Sequence, residues 1–327
     1  MPPGLNDTFS TLIPKVPNAE RVTQFRPIGL CNVIYKLITK CIVNRLKRVL
    51  PDLISPIQSS FVPGRQITDN VIIMQEILHS MTRKIGTKGW MAIKLDLEKS
   101  YDHLRWDFLC DPLLKMPLPD SLVEIIMQCV STCSLNILWN GEHSGAFKPS
   151  RGVRQGDPLS PYLFVVCMER LSQLIQAYSA AGKWKALSIT RGGTRLSHLM
   201  FADDVVLFGE AGREQAQNIK DCLKEFCDAS GQKISMAKSS IFFSSNTNDA
   251  TIVEICNILE MQHTADLGRY LGVPTVNGRV TKVLFQDVIT RVEQRLAGWK
   301  SKCLSLAGRI TMIKSTITAI PPMSCSP

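Results

Sequence analysis

The chain has 327 residues, 45% hydrophobic and 20% charged, with 38 Lys and Arg against 28 Asp and Glu and a formal net charge of +10. On a prior of roughly 100–200 residues per domain, this suits two or three lobes, and the composition is that of a globular rather than a disordered chain. No run reaches the roughly 18 apolar residues of a membrane span, and Met1-Pro2-Pro3-Gly4 lacks the basic and apolar regions of a signal peptide, so an intracellular protein of nucleus, cytoplasm or both is expected. Eleven cysteines contain no Cys-x-x-Cys pair. The closest, Cys129/Cys133 and Cys222/Cys227, lie in apolar helix-like stretches without nearby His, which reads as reduced core thiols rather than a zinc site or disulfide framework. The positive excess fits a polyanionic partner, because Lys and Arg that neutralise phosphates release counterions. Charge alone does not separate RNA, DNA and anionic lipid.

In chain order, the stretch to about residue 25 is Pro-rich and weakly periodic. Asn32 to Leu50 predicts a helix with Ile42, Val43, Leu46, Val49 and Leu50 on one face, stopped by Pro51. After the loop Phe61-Val62-Pro63-Gly64-Arg65, a second helix is predicted from a cap at Thr68 or Asp69, burying Val71, Ile72, Met74, Ile77, Leu78 and Met81. Trp90 to Leu95 reads as a buried strand that delivers Asp96 at its end. Residues 121–140 predict a helix feeding a short strand, with a turn at Gly141 and Gly145. A Gly/Pro loop from Gly152 to Pro161 precedes an apolar helix over Tyr162 to Tyr178. Two apolar runs, Leu199-Met200-Phe201 and Val205-Val206-Leu207-Phe208, flank Ala202-Asp203-Asp204 as a hairpin with acid at its tip. An amphipathic helix over 214–229 is followed by Lys238 and the strand-like Ile241-Phe242-Phe243. From Arg279 to Pro327 there are eight basic residues and two acidic ones. Helical patterns around Val288 to Trp299 and Leu306 to Ile320 there predict a small basic α-helical lobe, with Trp299 packed between its helices.

The chemistry centres on Asp96 after one apolar strand and Asp203-Asp204 between two others. Adjacent strands of one sheet would bring them together. Clustered carboxylates repel unless cations neutralise them, and hard oxygen donors suit Mg²⁺. Two such ions activate an attacking 3′-hydroxyl and stabilise a pyrophosphate leaving group, the work of a nucleotidyl transferase. Taken singly, Asp203-Asp204 fits an ordinary acidic turn and Asp96 a helix cap equally well.

Three segments in order decide between these readings: Lys94-Leu95-Asp96-Leu97-Glu98-Lys99-Ser100-Tyr101-Asp102, Arg154-Gln155-Gly156-Asp157-Pro158-Leu159-Ser160-Pro161, and Phe201-Ala202-Asp203-Asp204. They resemble motifs A, B and C of reverse transcriptases. Gly231 to Ser239 resembles motif D, Tyr270-Leu271-Gly272-Val273-Pro274 the motif E primer grip, and Phe61 to Asn70 a fingers motif. The nearest subgroup is the non-LTR, LINE-type retrotransposon polymerase of plants, with similarity over nearly the whole chain. The resemblance implies an α+β right-hand polymerase: fingers over 1–90 with part of 105–150, a palm with an antiparallel sheet over 91–276, and a partial helical thumb over 277–327.

The resemblance also implies roles. Asp96, Asp203 and Asp204, with the Leu97 carbonyl, are the ligands of two Mg²⁺ ions, for which Mn²⁺ can substitute. Tyr101 stands where an aromatic ring excludes a 2′-hydroxyl and favours dNTPs. Gln155 and Gly156 bring backbone close to the base pair, Lys238 is the proton donor to pyrophosphate, and Tyr270, Leu271 and Gly272 hold the primer. Arg65, and with it Arg26, would bind the incoming triphosphate through guanidinium forks. The implied partners are an RNA template, a DNA primer and dNTPs. Ser235 departs from the Asn often found in motif D, and no endonuclease or RNase H region accompanies the polymerase motifs, which suggests a fragment of a larger element. The competing readings are a catalytically silent retroelement fragment that binds nucleic acid and an RNA-dependent RNA polymerase. Intact Asp96, Asp203 and Asp204 speak against the first, and Tyr101 with Phe201-Ala202 against the second.

Overall fold

The computed structural model describes residues 1–2, 4–189, 192–276, 282–296 and 304–323. The chain forms two compact units. One comprises Met1–Gly64, Asp96–Trp184 and Asn218–Ser235, the other Arg65–Leu95, Lys185–Gln217 and Met236–Pro327.

The first unit contains a four-stranded sheet of β1 (Asp7–Pro14), β2 (Phe25–Cys31), β4 (Ser134–Trp139) and β5 (Glu142–His143), in the order β2-β1-β4-β5. Strand β1 is antiparallel to β2 and parallel to β4. It lies in the stretch whose weak periodicity predicts no strand, and the reason is an inverted alternation. Thr8 and Ser10 are buried, while Phe9 and Ile13 are exposed. The inward Thr8 hydroxyl accepts from the Arg154 guanidinium at 2.8 Å, so the strand's inner face is polar because its neighbour is. A period-2 hydrophobic signal points the wrong way here.

Helices α1 (Val33–Leu53), α3 (Ser100–His103), α4 (Trp106–Lys115), α5 (Asp120–Ser131) and α6 (Ser160–Ala180) complete this unit, with the C-terminal part of α7 (Arg213–Ser230). The Asn32 side chain caps α1 by accepting from the Ile34 amide at 2.9 Å. Pro51 does not stop α1, which runs on to Leu53. A proline three residues from the end forfeits one backbone bond, and buried Leu50 and Ile54 hold the last turn. The core gathers Tyr35, Leu46, Leu50, Leu104, Leu109, Leu113, Ile126, Leu163 and Val165. At about 1.5–3 kcal/mol for each fully buried apolar side chain, this cluster is the unit's main source of stability. Helix α6 is buried almost all round from Tyr162 to Cys167, as befits a central helix.

The second unit is built on a five-stranded sheet of β3 (Trp90–Leu95), β6 (His198–Phe201), β7 (Asp204–Glu210), β8 (Ser240–Phe243) and β9 (Gln262–His263), ordered β6-β7-β3-β8-β9. Central β3 pairs antiparallel with both β7 and β8, and its run Trp90-Met91-Ala92-Ile93 is buried without alternation. Such a run identifies a strand covered on both faces. Helices α2 (Ile67–Thr82), α8 (Asp249–Leu259), α9 (Gln286–Leu296) and α10 (Leu306–Met323) and a hairpin of β10 (Arg269–Tyr270) and β11 (Val273–Pro274) accompany it.

The cap of helix α2 lies two residues before Thr68, the first of the predicted positions. Gln66 occupies the N-cap without capping the helix amides through its side chain, and Asp69 lies in the first turn, where the exposed amides favour a carboxylate. Met74, Ile77, Leu78 and Met81 are buried, but Ile72 is 66% exposed, being off the i, i+3, i+4 stripe that the other four define. Trp299, Arg279, Lys300 and Lys302 lie outside the described residues. Among those residues no helix is long and apolar enough to cross a membrane.

The inverted strand makes a direct prediction. Thr8→Val inserts a better strand former yet removes an acceptor from a buried guanidinium, and is expected to lower stability by about 1–3 kcal/mol. Phe9→Thr on the exposed face should change it by less than about 1 kcal/mol. Urea unfolding midpoints compare the two.

Candidate active site

Each carboxylate reaches its place through strand geometry. Phe201 pairs with Asp204, so Ala202 and Asp203 form a two-residue hairpin turn between β6 and β7. Ala202 is buried with a φ of 53°, a left-handed conformation that costs a non-glycine residue about 1–3 kcal/mol. Asp203 is exposed at the tip and Asp204 half-buried at the first position of β7. In the same sheet Leu95 pairs with Val205. Asp96 is the next residue after Leu95, and Asp204 the residue before Val205. Carboxylate oxygens are the hard donors that Mg²⁺ and Mn²⁺ accept, so the donor chemistry fits a divalent cation. Among the described residues, no group of three or more His, Cys, Asp and Glu side chains forms a metal cage.

Within the first unit, the segment after Asp96 is stitched to motifs B and D. The Ser235 amide donates to the Asp96 carbonyl and the Glu98 amide to the Lys233 carbonyl, each at 2.8 Å, bridging Leu97 to Ile234. This bridge uses the groups on either side of Leu97 and turns the Leu97 carbonyl to the opposite edge. Ser235 contributes its backbone here, which a serine supplies as well as an asparagine. Gln232 Nε2 donates to the Ser100 carbonyl at 2.7 Å. The Val153 amide donates to the Tyr101 carbonyl at 2.8 Å, and the Tyr101 ring stacks on Phe164 with centroids 4.9 Å apart and 12° between planes. Tyr101 is half-buried, so the ring is held by packing.

Gln155 and Gly156 sit between two anchored residues that the sequence reading gave no role. The Arg154 and Asp157 side chains are 8% and 5% exposed and lie 3.2 Å apart. Arg154 also donates to Asn6 Oδ1, Thr8 Oγ1 and the Cys129 carbonyl, and contacts the Tyr35 hydroxyl. Tyr35 donates to Asp157 at 2.6 Å, while Asp157 also accepts the Leu159 amide at the head of α6. Burial, with the Asp157 charge second, drives the Tyr35 phenol above the ordinary tyrosine range, so it stays a proton donor. A buried pair of this kind survives only when its remaining donors and acceptors are satisfied, as they are here. The Gln155 carbonyl accepts the Gly29 amide at 2.7 Å.

In the second unit, Asn70 of α2 donates to the Met200 carbonyl at 2.9 Å and lies 3.4 Å from the Tyr270 hydroxyl. One side chain thus braces both the strand leading to the acid turn and the motif E hairpin. Gln75 supports the same hairpin, donating to the Pro274 carbonyl and accepting the Val276 amide. Leu271 and Gly272 form its turn with φ of 50° and 77°, the two positive values that a tight two-residue hairpin requires. Tyr270 and Leu271 are buried. Lys94 Nζ donates to the Arg269 carbonyl at 2.6 Å. Lys238 is exposed and Arg65 half-buried. Arg26 belongs to the first unit, where it pairs with Ile13 in β2.

A family model described as reverse transcriptase (RNA-dependent DNA polymerase) matches residues 13–275. The chain belongs to that family. A transposon TX1 protein of 149 kDa from Xenopus laevis is 28% identical over 94% of this chain and 23% of its own length. A Pol polyprotein of the type-2 retrotransposable element R2DM from Drosophila melanogaster is 28% identical over 73% of this chain and 21% of its own length. The chain therefore spans less than a quarter of these non-LTR retrotransposon relatives. Among solved structures, telomerase from Candida tropicalis in complex with the TWJ fragment of telomeric RNA superposes with a TM-score of 0.54, at 15% identity, over 97% of this chain and 53% of that one. This likeness establishes a shared fold, in agreement with the α+β polymerase architecture expected above.

His198, which opens β6 on the way to the acid turn, yields a pH prediction. Its Nδ1 lies 2.9 Å from Ser197 Oγ, and burial pushes the imidazole down to about 4. Between pH 4 and the unfolded value of about 6.5, the unfolded chain binds the proton and the folded one does not. Stability is therefore expected to fall by up to about 3 kcal/mol as pH drops through this window, and to be free of this term above it. Unfolding free energies measured across the window should show a flatter slope for His198→Gln.

Proposed function

We propose that this chain is the polymerase core of a non-LTR-type retrotransposon reverse transcriptase, an RNA-directed DNA polymerase that extends a DNA primer 3′-hydroxyl with dNTPs on an RNA template. The observation that carries the reading is the sheet register: β7 begins at Asp204, β3 ends at Leu95 opposite Val205, and Asp96 follows directly. Membership in the family and the motif order support the same assignment. The proposed lobes are fingers over 1–90 with part of 105–150, palm over 91–276 and thumb over 277–327.

In this reading Asp96, Asp203, Asp204 and the Leu97 carbonyl hold two Mg²⁺ ions, with Mn²⁺ as a substitute. When bound, the ions supply Lewis acidity for the attacking 3′-hydroxyl and charge stabilisation for the departing pyrophosphate. The remaining roles belong to the chain's own groups. Tyr101, held against Phe164, would meet a 2′-hydroxyl and so favours dNTPs. The turn at Leu271–Gly272 carries the primer end. Arg65 binds the triphosphate with its guanidinium fork, and the exposed Lys238 ammonium hands a proton to pyrophosphate.

The test is primer extension by purified protein on an RNA template and DNA primer with Mg²⁺ or Mn²⁺. The wild type is expected to extend, and Asp203→Asn to fall by about a hundredfold or more, since metal charge stabilisation supplies several kcal/mol. Folded protein that binds RNA and extends nothing would overturn the reading in favour of a catalytically silent nucleic-acid-binding fragment. Tyr101→Ala should raise the efficiency of NTPs relative to dNTPs about tenfold or more, read from single-nucleotide kcat/KM.

A further inference from the structure

The first unit carries a buried assembly around the Gln155–Gly156 peptide that the polymerase reading does not use. On the N-terminal side, the Arg154 guanidinium is turned inward and held at 2.7 Å by Asn6 Oδ1, 2.8 Å by Thr8 Oγ1 and 3.0 Å by the Cys129 carbonyl. On the C-terminal side, Asp157 is fixed by the Tyr35 hydroxyl at 2.6 Å and the Leu159 amide at 2.9 Å. Between these anchors the backbone turns outward, Gln155 half-buried and Gly156 exposed with a φ of 100°.

Across the loop runs β2. The Gly29 amide donates to the Gln155 carbonyl at 2.7 Å, which fixes the plane of the Gln155–Gly156 peptide. A side chain has no room at Gly156 and only a tight fit at Gly29. A Cβ on Gly156 would stand 2.7 Å from the Gly29 carbonyl oxygen, and one on Gly29 would stand 3.1 Å from the Gln155 carbonyl oxygen and 3.3 Å from Thr8 Cγ2. A cavity of about 220 Å³ lies beside it, lined by Gly29, Asp102, Gly152, Arg154, Gln155 and Asp157 among others. The loop is held by the hydrogen bonds of its two anchors and by one close backbone crossing.

We propose that Gly29, Tyr35, Arg154 and Asp157 are positioning residues that set the height of the Gln155–Gly156 backbone, and through it the binding of the incoming nucleotide opposite the template base. This rests on the polymerase reading above. Gly29 and Tyr35 lie outside every motif that the sequence reading assigned to nucleotide contact. They act on the substrate only through the loop, so the interaction lost on changing them is made in ground and transition state alike, and it appears in KM rather than kcat.

Single-nucleotide primer extension is run with the wild type, Gly29→Ala, Tyr35→Phe and Gly145→Ala, the last a glycine of the same unit whose Cβ would meet nothing within 4 Å. A displacement of a few tenths of an ångström at the loop is expected to raise KM for the dNTP about fivefold or more in Gly29→Ala, with kcat within about twofold and primer–template affinity unchanged. Tyr35→Phe moves the same way and Gly145→Ala does not. Hydrogen exchange of the segment 152–158, measured without substrate, is expected to quicken in the first two variants alone. Wild-type KM in Gly29→Ala and Tyr35→Phe would overturn the proposal, as would unchanged exchange. A uniform loss of kcat and primer–template affinity would also overturn it, by pointing to general unfolding. Failure of the wild type itself to extend would count against the polymerase reading instead, and the exchange measurement would still decide whether the clamp holds the loop.

Discussion

The register of β3 against β7 is the constraint on which the candidate site depends. A slip of one residue would send every side chain of a strand to the opposite face and shift the acid turn relative to the end of β3 at Leu95. Register is held from both sides: β3 pairs with β7 over Trp90 to Leu95 and with β8 over Met91 to Lys94. Met91, Ala92 and Ile93 are buried between these neighbours. Asp203 and Asp204 are adjacent carboxylates at the turn between β6 and β7, and like charges this close repel, so the apolar ladder must supply the free energy that holds the turn. The left-handed backbone at Ala202 adds local strain, which the same ladder over-determines.

Around that ladder, several of the motif carbonyls are tied by long-range hydrogen bonds, while motif B is also anchored by its own Arg154 and Asp157 side chains. The Asp96 carbonyl is tied to Ser235, the Tyr101 carbonyl to Val153, the Met200 carbonyl to Asn70 and the Gln155 carbonyl to Gly29. Backbone ties tolerate changes of side chain, which explains how Ser235 stands where Asn is frequent. They leave no space for a Cβ at Gly156 and only a tight fit for one at Gly29, where two backbones cross.

Much of this was legible in the sequence. The strand over Trp90 to Leu95, the acid hairpin and the helix after the Gly/Pro loop follow from apolar periodicity and residue spacing, and the motifs from the resemblance to reverse transcriptases. What was not legible has specific causes. Strand β1 hides because its inward residues are polar, satisfying Arg154, while Phe9 and Ile13 face outward. The extension of α1 past Pro51 depends on tertiary burial of Leu50 and Ile54, which local propensity does not encode. Exposure of Ile72 depends on which stripe of α2 packs. The roles of Tyr35 and Gly29 arise from contacts with residues more than a hundred positions away, and a sequence offers no spacing rule for these. The proposed roles of Lys238 and the metal ligands come from the resemblance, and that of Arg65 from the match of a guanidinium fork to phosphate oxygens.

The central claim is that Asp96, Asp203 and Asp204 together hold divalent cations for nucleotidyl transfer. Its most direct test is a Mn²⁺ titration, followed by electron paramagnetic resonance, of protein assembled with an RNA template, a 3′-deoxy-terminated primer and the next dNTP. The wild type is predicted to bind Mn²⁺ in competition with Mg²⁺, and the folded Asp96→Asn, Asp203→Asn double variant to lose that binding. Equal Mn²⁺ binding by the two proteins would contradict the account.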